Sequence, residues 1–61
     1  MVEKNKNYLY VGNAYNLRHI KGIVGNITNI FDERFVEFSV HVSGTEFESY
    51  RVLFSNLRIA E

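Results

Sequence analysis

Gly22-Ile23-Val24-Gly25-Asn26-Ile27-Thr28-Asn29-Ile30, followed by Val36-Glu37-Phe38-Ser39-Val40-His41-Val42, decides the fold of this chain. The second run alternates with a period of two. Val36, Phe38, Val40 and Val42 share one face, and Glu37, Ser39 and His41 share the other with Phe35, the pattern of a half-buried strand. In the first run Ile23, Gly25 and Ile27 are in phase, and Ile30 then falls out of phase. A β-bulge between Ile27 and Ile30 would return both isoleucines to the core. Gly25, inside a strand, implies a bend or a close backbone approach. A bent strand beside a regular one predicts a small, strongly curved β-barrel.

The remaining elements follow outward from this pair. Asp32-Glu33-Arg34 is a polar turn joining the two strands, and Ser43-Gly44-Thr45-Glu46 is a hairpin turn in which glycine supplies the left-handed conformation. The hairpin leads to a strand over 47–53 that faces Tyr50 and Val52 inward. Phe54-Ser55-Asn56 predicts one helical turn, and Leu57-Arg58-Ile59 a short last strand. Upstream, Tyr8-Leu9-Tyr10-Val11 has the aromatic and β-branched character of a first strand. Residues 1–7 read as a flexible lead-in, 12–16 as an irregular loop, and 17–21 as its return limb, too short for an independent helix. The expectation is one all-β domain over 8–61, with five strands and a one-turn 3-10 helix before the last.

The spacing Gly22-x-x-Gly25-x-Ile27-x-x-Ile30, the turn, and Val36-Glu37-Phe38 resemble the glycine-containing strand–turn–strand unit of KOW-type SH3-like barrels. The run from Tyr50 to Ile59 is similar to the strand–short helix–strand finish of SH3-like domains in general. The resemblance covers about residues 8–60. It implies a five-stranded SH3-like barrel, in a superfamily whose members contact RNA in ribosomal proteins and transcription elongation factors, or bind only protein. This chain is less basic than the RNA-binding members. It has no tryptophan for a proline-peptide groove, and Ala14-Tyr15-Asn16-Leu17 does not match the tyrosine-rich loop of such domains.

Composition narrows the function. The chain has 61 residues, room for one marginal core. It has no cysteine, which removes disulfides and thiolate zinc sites. At 46% hydrophobic and 15% aromatic it is a folding sequence rather than a disordered one. No secretory signal or apolar run long enough for a bilayer is evident, so a soluble, cytoplasmic protein without membrane contact is expected. Its seven asparagines fit an AT-rich bacterial or phage genome. Net charge is zero but uneven. Residues 1–22 sum to +3 (Lys4, Lys6, Arg18 and Lys21 against Glu3). Residues 23–61 sum to −3 (Arg34, Arg51 and Arg58 against Asp32, Glu33, Glu37, Glu46, Glu48 and Glu61).

Catalysis is not expected. Ser39, His41 and Glu37 lie side by side on one strand face without a buried orienting group or oxyanion donors. No phosphate-binding glycine loop precedes a helix, and His19 and His41 match no metal-ligand spacing. No cofactor is implied. A binding module is expected instead, in the form of a small accessory or inhibitory protein that docks on a larger protein partner. Phe35, Glu37, His41 and Phe47 form its candidate protein-binding surface, an apolar–acidic one. The alternative is RNA or single-stranded DNA, held by aromatic rings interleaved with cations: Lys6, Tyr8, Tyr10, Tyr15, Arg18, His19 and Lys21, with Lys4 beside them. Homo-oligomerisation is a third reading, because association stabilises a marginal core. Among the nine aromatics, Phe38 and Tyr50 are the expected core members.

Overall fold

The computed structural model describes residues 6–60, and the expectations placed on residues 1–5 and Glu61 lie outside that range. Five strands form one antiparallel sheet: β1 (Asn7–Tyr10), β2 (Val24–Ile30), β3 (Phe35–Ser43), β4 (Glu46–Leu53) and β5 (Leu57–Ile59). Their order across the sheet is β4-β3-β2-β1-β5. A meander thus runs from β1 to β4, and the chain then returns so that β5 pairs with the free side of β1. The 3-10 turn Phe54–Asn56 makes that return, as expected, and its first amide donates to the Arg34 carbonyl at 2.7 Å.

The core is the inner face of this sheet. Ile27, Val36, Phe38, Val40 and Val52 come from β2–β4, and Tyr8, Tyr10 and Leu57 from β1 and β5. Leu17 and Ile20 come from the Tyr15–Ile20 segment, which is two short 3-10 turns kinked at Leu17 rather than an irregular limb. Leu17, the residue at the kink, and Ile20, the last of the segment, are the two that reach the core.

β2 is irregular where its sequence loses phase. Register shifts between Ile27 and Asn29, so Thr28 is the extra residue and Asn29 stands opposite Glu37. The bulge does not carry Ile30 inward, however. Ile30, Ile23 and Val42, all three expected in the core, are exposed. Each sits at the end of a strand, beyond the reach of a core this small. Gly25 lies opposite Tyr8. A Cβ there would stand 2.9 Å from Phe38 Cζ and 3.0 Å from Val40 Cγ1, and closer still to the Ser39 carbonyl. Glycine is required at 25 because β2 and β3 approach so tightly.

Both turns are built as their residues dictate. Asp32 Oδ1 accepts the amides of Arg34 (2.7 Å) and Phe35 (2.9 Å), closing the β2–β3 turn. These two bonds, with the charges of Arg51 and Arg34, hold its carboxyl below the usual aspartate value. Gly44 has φ +52° in the β3–β4 turn.

Candidate protein-binding face

The outward face of β3 carries Phe35, Glu37, Ser39 and His41, and β4 sets Leu53, Arg51, Ser49 and Phe47 opposite them in register. From Phe35 to His41 this strip is about 20 Å long. It divides into three parts.

At the hairpin end, the His41 ring packs against Phe47 at a tilt of 60°, with ring centroids 5.0 Å apart. His41 Nε2 donates to the Gly44 carbonyl at 2.7 Å, which fixes the ring's hydrogen on that nitrogen. At the other end, the Arg51 guanidinium lies 5.1 Å from the centroid of Phe35 and 5.3 Å from that of Phe31. Arg34 covers Phe35 at 5.9 Å. A cleft lined by Glu33, Arg34, Leu53, Phe54 and Ser55 opens beside this stack.

The middle is polar and connected. Thr28 Oγ1, brought over β3 by the bulge, donates to Glu37 Oε1 at 2.7 Å. Having spent its proton there, it accepts from Ser39 Oγ at 3.1 Å, and Ser39 in turn accepts from Ser49 Oγ at 2.8 Å. Each hydroxyl has one proton, so the chain has a single direction, from Ser49 to the carboxylate. Ser39 is buried beneath these neighbours.

The structure therefore brings His41 and Phe47 together and puts Phe35 and Glu37 further along the same face. The single apolar–acidic patch expected of Phe35, Glu37, His41 and Phe47 is instead two aromatic ends joined by a polar strip. Phe35 is capped by arginine, and Glu37 is engaged by Thr28. Ser39 and His41 are held by different partners and do not meet. Phe31 and Arg51 belong to this face and escaped the sequence reading. Counting back from the Ser43–Glu46 turn would have set Arg51 opposite Phe38; the register shift between His41 and Ser43 moves it opposite Glu37, so the turn gave no signal for it.

The tyrosine-rich basic region is arranged differently. Tyr8 and Tyr10, expected as stacking platforms, are core residues, because β1 lies between β2 and β5 and turns both rings inward. Tyr8 packs edge-on against Phe54 at 5.9 Å. Tyr10 lies under Gly12 and Asn56, and its hydroxyl finds no partner among the described residues. Tyr15 remains outside, 82% exposed, with Arg18 at 5.5 Å over its ring. Lys21 Nζ donates to Asn13 Oδ1 at 2.6 Å, and Lys6 is exposed at the start of β1.

His19 does something its sequence position did not signal. Tyr50 donates to Glu48, so its oxygen must accept from His19 Nε2 at 3.0 Å, and the two rings meet edge-on at 5.4 Å. The Tyr15–Ile20 segment is thereby tied to β4. The Glu48 carboxylate, as acceptor first and then as a nearby negative charge, raises the Tyr50 hydroxyl above its ordinary value, with desolvation adding to it. Tyr50, expected inside, is half-buried for this reason. Among the described residues no three His, Asp or Glu side chains gather as a metal site, and no helix is long and apolar enough to cross a membrane. No family model, curated protein or solved structure matches this chain.

Proposed function

We propose that this chain is a non-enzymatic binding module that docks on a larger protein through the outward face of β3 and β4. The observation that carries this reading is the Arg51 stack on Phe31 and Phe35, matched at the far end by His41 on Phe47. Exposed aromatic rings already fixed by a neighbour lose little freedom when a partner covers them. Aromatic residues and arginine are also the side chains that dominate protein interfaces. An accessory or inhibitory role in the cytoplasm fits a small domain that offers such a face.

We propose further that the sheet is an SH3-like barrel of the KOW type. Support comes from the strand order, with β5 returning to β1 through a 3-10 turn, and from the Gly25 approach and Thr28 bulge that bend β2. The smallest dimension of the described chain is 22 Å, well above the ~10 Å layer of a flat sheet.

A second reading, RNA or single-stranded DNA at the Tyr15–Ile20 segment, is favoured only by Tyr15 with Arg18 over its ring. One exposed ring offers a single base a stacking surface. Affinity capture from cells, with and without nuclease, separates the readings. A stoichiometric protein partner that survives nuclease and is lost with folded Phe31→Ser/Phe47→Ser supports the first. Loss of all partners on nuclease treatment, together with single-strand binding at about 50 mM salt that Tyr15→Ala abolishes, supports the second.

A further inference from the structure

β4 is an edge strand, paired with β3 along one side only. Long open edges invite another strand, and charged side chains usually guard them. Glu46, Phe47, Glu48, Ser49 and Arg51 are all exposed along this edge, which contains no glycine or proline. Its charges are ordered, acidic at the start and basic near the end. Glu46 and Glu48 lie on one side of the strand and Phe47 and Arg51 on the other, so a reversed copy that keeps each face on its own side sets no glutamate opposite an arginine but can set Phe47 opposite Arg51.

We propose that two copies of this chain associate by antiparallel pairing of their β4 edges about a two-fold axis through Ser49. Such an axis, perpendicular to the sheet, keeps each face on its own side, so every allowed register centres on a residue. Centring on Glu48 opposes glutamate to glutamate. Centring on Phe47 opposes Glu46 to Glu48 twice, and centring on Arg51 opposes the two arginines. Like charges directly across a strand pair are destabilising. Centring on Tyr50 avoids repulsion but sets Phe47 against Leu53 and leaves Arg51 facing Ser49.

The Ser49 register alone adds complementary pairs. Phe47 faces Arg51 of the second copy on the outward side, twice. Arg51 already stacks on Phe31 and Phe35 from the β3 side, so the second copy's Phe47 arrives at its open side and completes a three-ring enclosure. On the inner side Glu48 faces Tyr50 of the second copy, whose proton its own Glu48 already holds, and Glu46 faces Val52, so this side adds neither like-charge repulsion nor a new bond. The charges that guard the edge against other strands thus select one pairing with itself. The dimer would use Phe47 and Arg51 of the face proposed for docking, and its test reads self-association of the purified chain, whether or not a second protein binds there.

The natural chain has no cysteine, so one introduced thiol reports register directly. Ser49→Cys is expected to form a disulfide-linked dimer under mild oxidation. Phe47→Cys sits four residues out of register with its own copy, roughly 13 Å along the strand, and is expected to stay monomeric. Sedimentation of the unmodified chain should show reversible dimer at about 0.5 mM, and Arg51→Glu should weaken it about tenfold or more. A monomer at that concentration overturns the proposal. Equal cross-linking at 47 and 49, or growth beyond a dimer through the β5 edge, also overturns it. If Arg51→Glu fails to fold, the cross-linking pair decides alone.

Discussion

The tyrosines of β1 and the phenylalanines around β3 and β4 invert the usual rule of burial. Tyr8 and Tyr10, which carry hydroxyls, are 2% and 1% exposed. Phe31 and Phe47, which carry none, are 45% and 62% exposed. Position in the sheet explains the inversion better than polarity does. β1 is flanked on both sides by other strands, and its Tyr8 and Tyr10 turn into the core. Phe31 and Phe47 sit at strand ends where the core has run out, and an arginine and a histidine cover them instead. The exposed rings of Phe31 and Phe47 are the ones the proposed docking face draws on.

The sharpest way to break this comparison is to place a charge on each side of β3. Val40→Asp buries an unpaired carboxylate in the core and should abolish the folded signal in circular dichroism. His41→Asp, one residue along, should cost about 1 kcal/mol, the loss of its bond to Gly44. Equal behaviour would refute the facing assigned to β3. Next in size is Gly25→Ala, which drives a methyl into the Ser39 carbonyl and the Phe38 ring and should lower stability by roughly 1–3 kcal/mol in urea titrations. An unchanged midpoint would mean the strands lie further apart.

Tyr10→Phe sharpens the comparison from the inside. It removes a buried hydroxyl without a partner among the described residues, so a gain of about 1 kcal/mol is expected. A loss would reveal a hydrogen bond at that atom. The smallest effect concerns Tyr50. Its raised folded value means that the protonated hydroxyl stabilises the fold. This contribution is complete below the ordinary tyrosine value of 10.0 and is lost as pH rises through the folded value. The stability difference between the unmodified chain and Tyr50→Phe should therefore shrink above pH 10 and stay constant from pH 7 to 9. A difference that grew with alkali would place the hydroxyl's hydrogen elsewhere.

Much of the scaffold was legible in the residues. The break in phase between Ile27 and Ile30 located the Thr28 bulge. Gly44 located the hairpin, and Phe54-Ser55-Asn56 the 3-10 turn. What the bulge accomplished was not legible, because whether Ile30 is buried depends on where the core ends, a property of the whole sheet. The tyrosines of β1 were misplaced for a related reason. Tyr8-Leu9-Tyr10-Val11 is apolar on both faces, so alternation gives no phase, and only pairing with β2 and β5 sets one. The bond between His19 and Tyr50 joins positions 31 apart in sequence and leaves no local pattern. On the candidate face, the residues of β3 were readable from alternation. Phe31, at a strand end, and Thr28, made outward by the bulge, were not.

The Asp32 turn has a consequence for the order in which the chain folds. Two amides three positions away at most converge on one carboxylate, so β2 and β3 can zip together after closing only a short loop. The pairing of Tyr8 with Ile59 closes nearly the whole chain. Non-local closures of that kind come late. Pulse-labelled exchange should thus protect the Phe31 amide, bonded to the Phe35 carbonyl, before the Val11 and Ala60 amides, bonded to Asn56 and Asn7, and simultaneous protection would contradict this order. On the ribosome the two most deeply buried tyrosines would be made early and wait, uncovered, until the last strand emerges to enclose them.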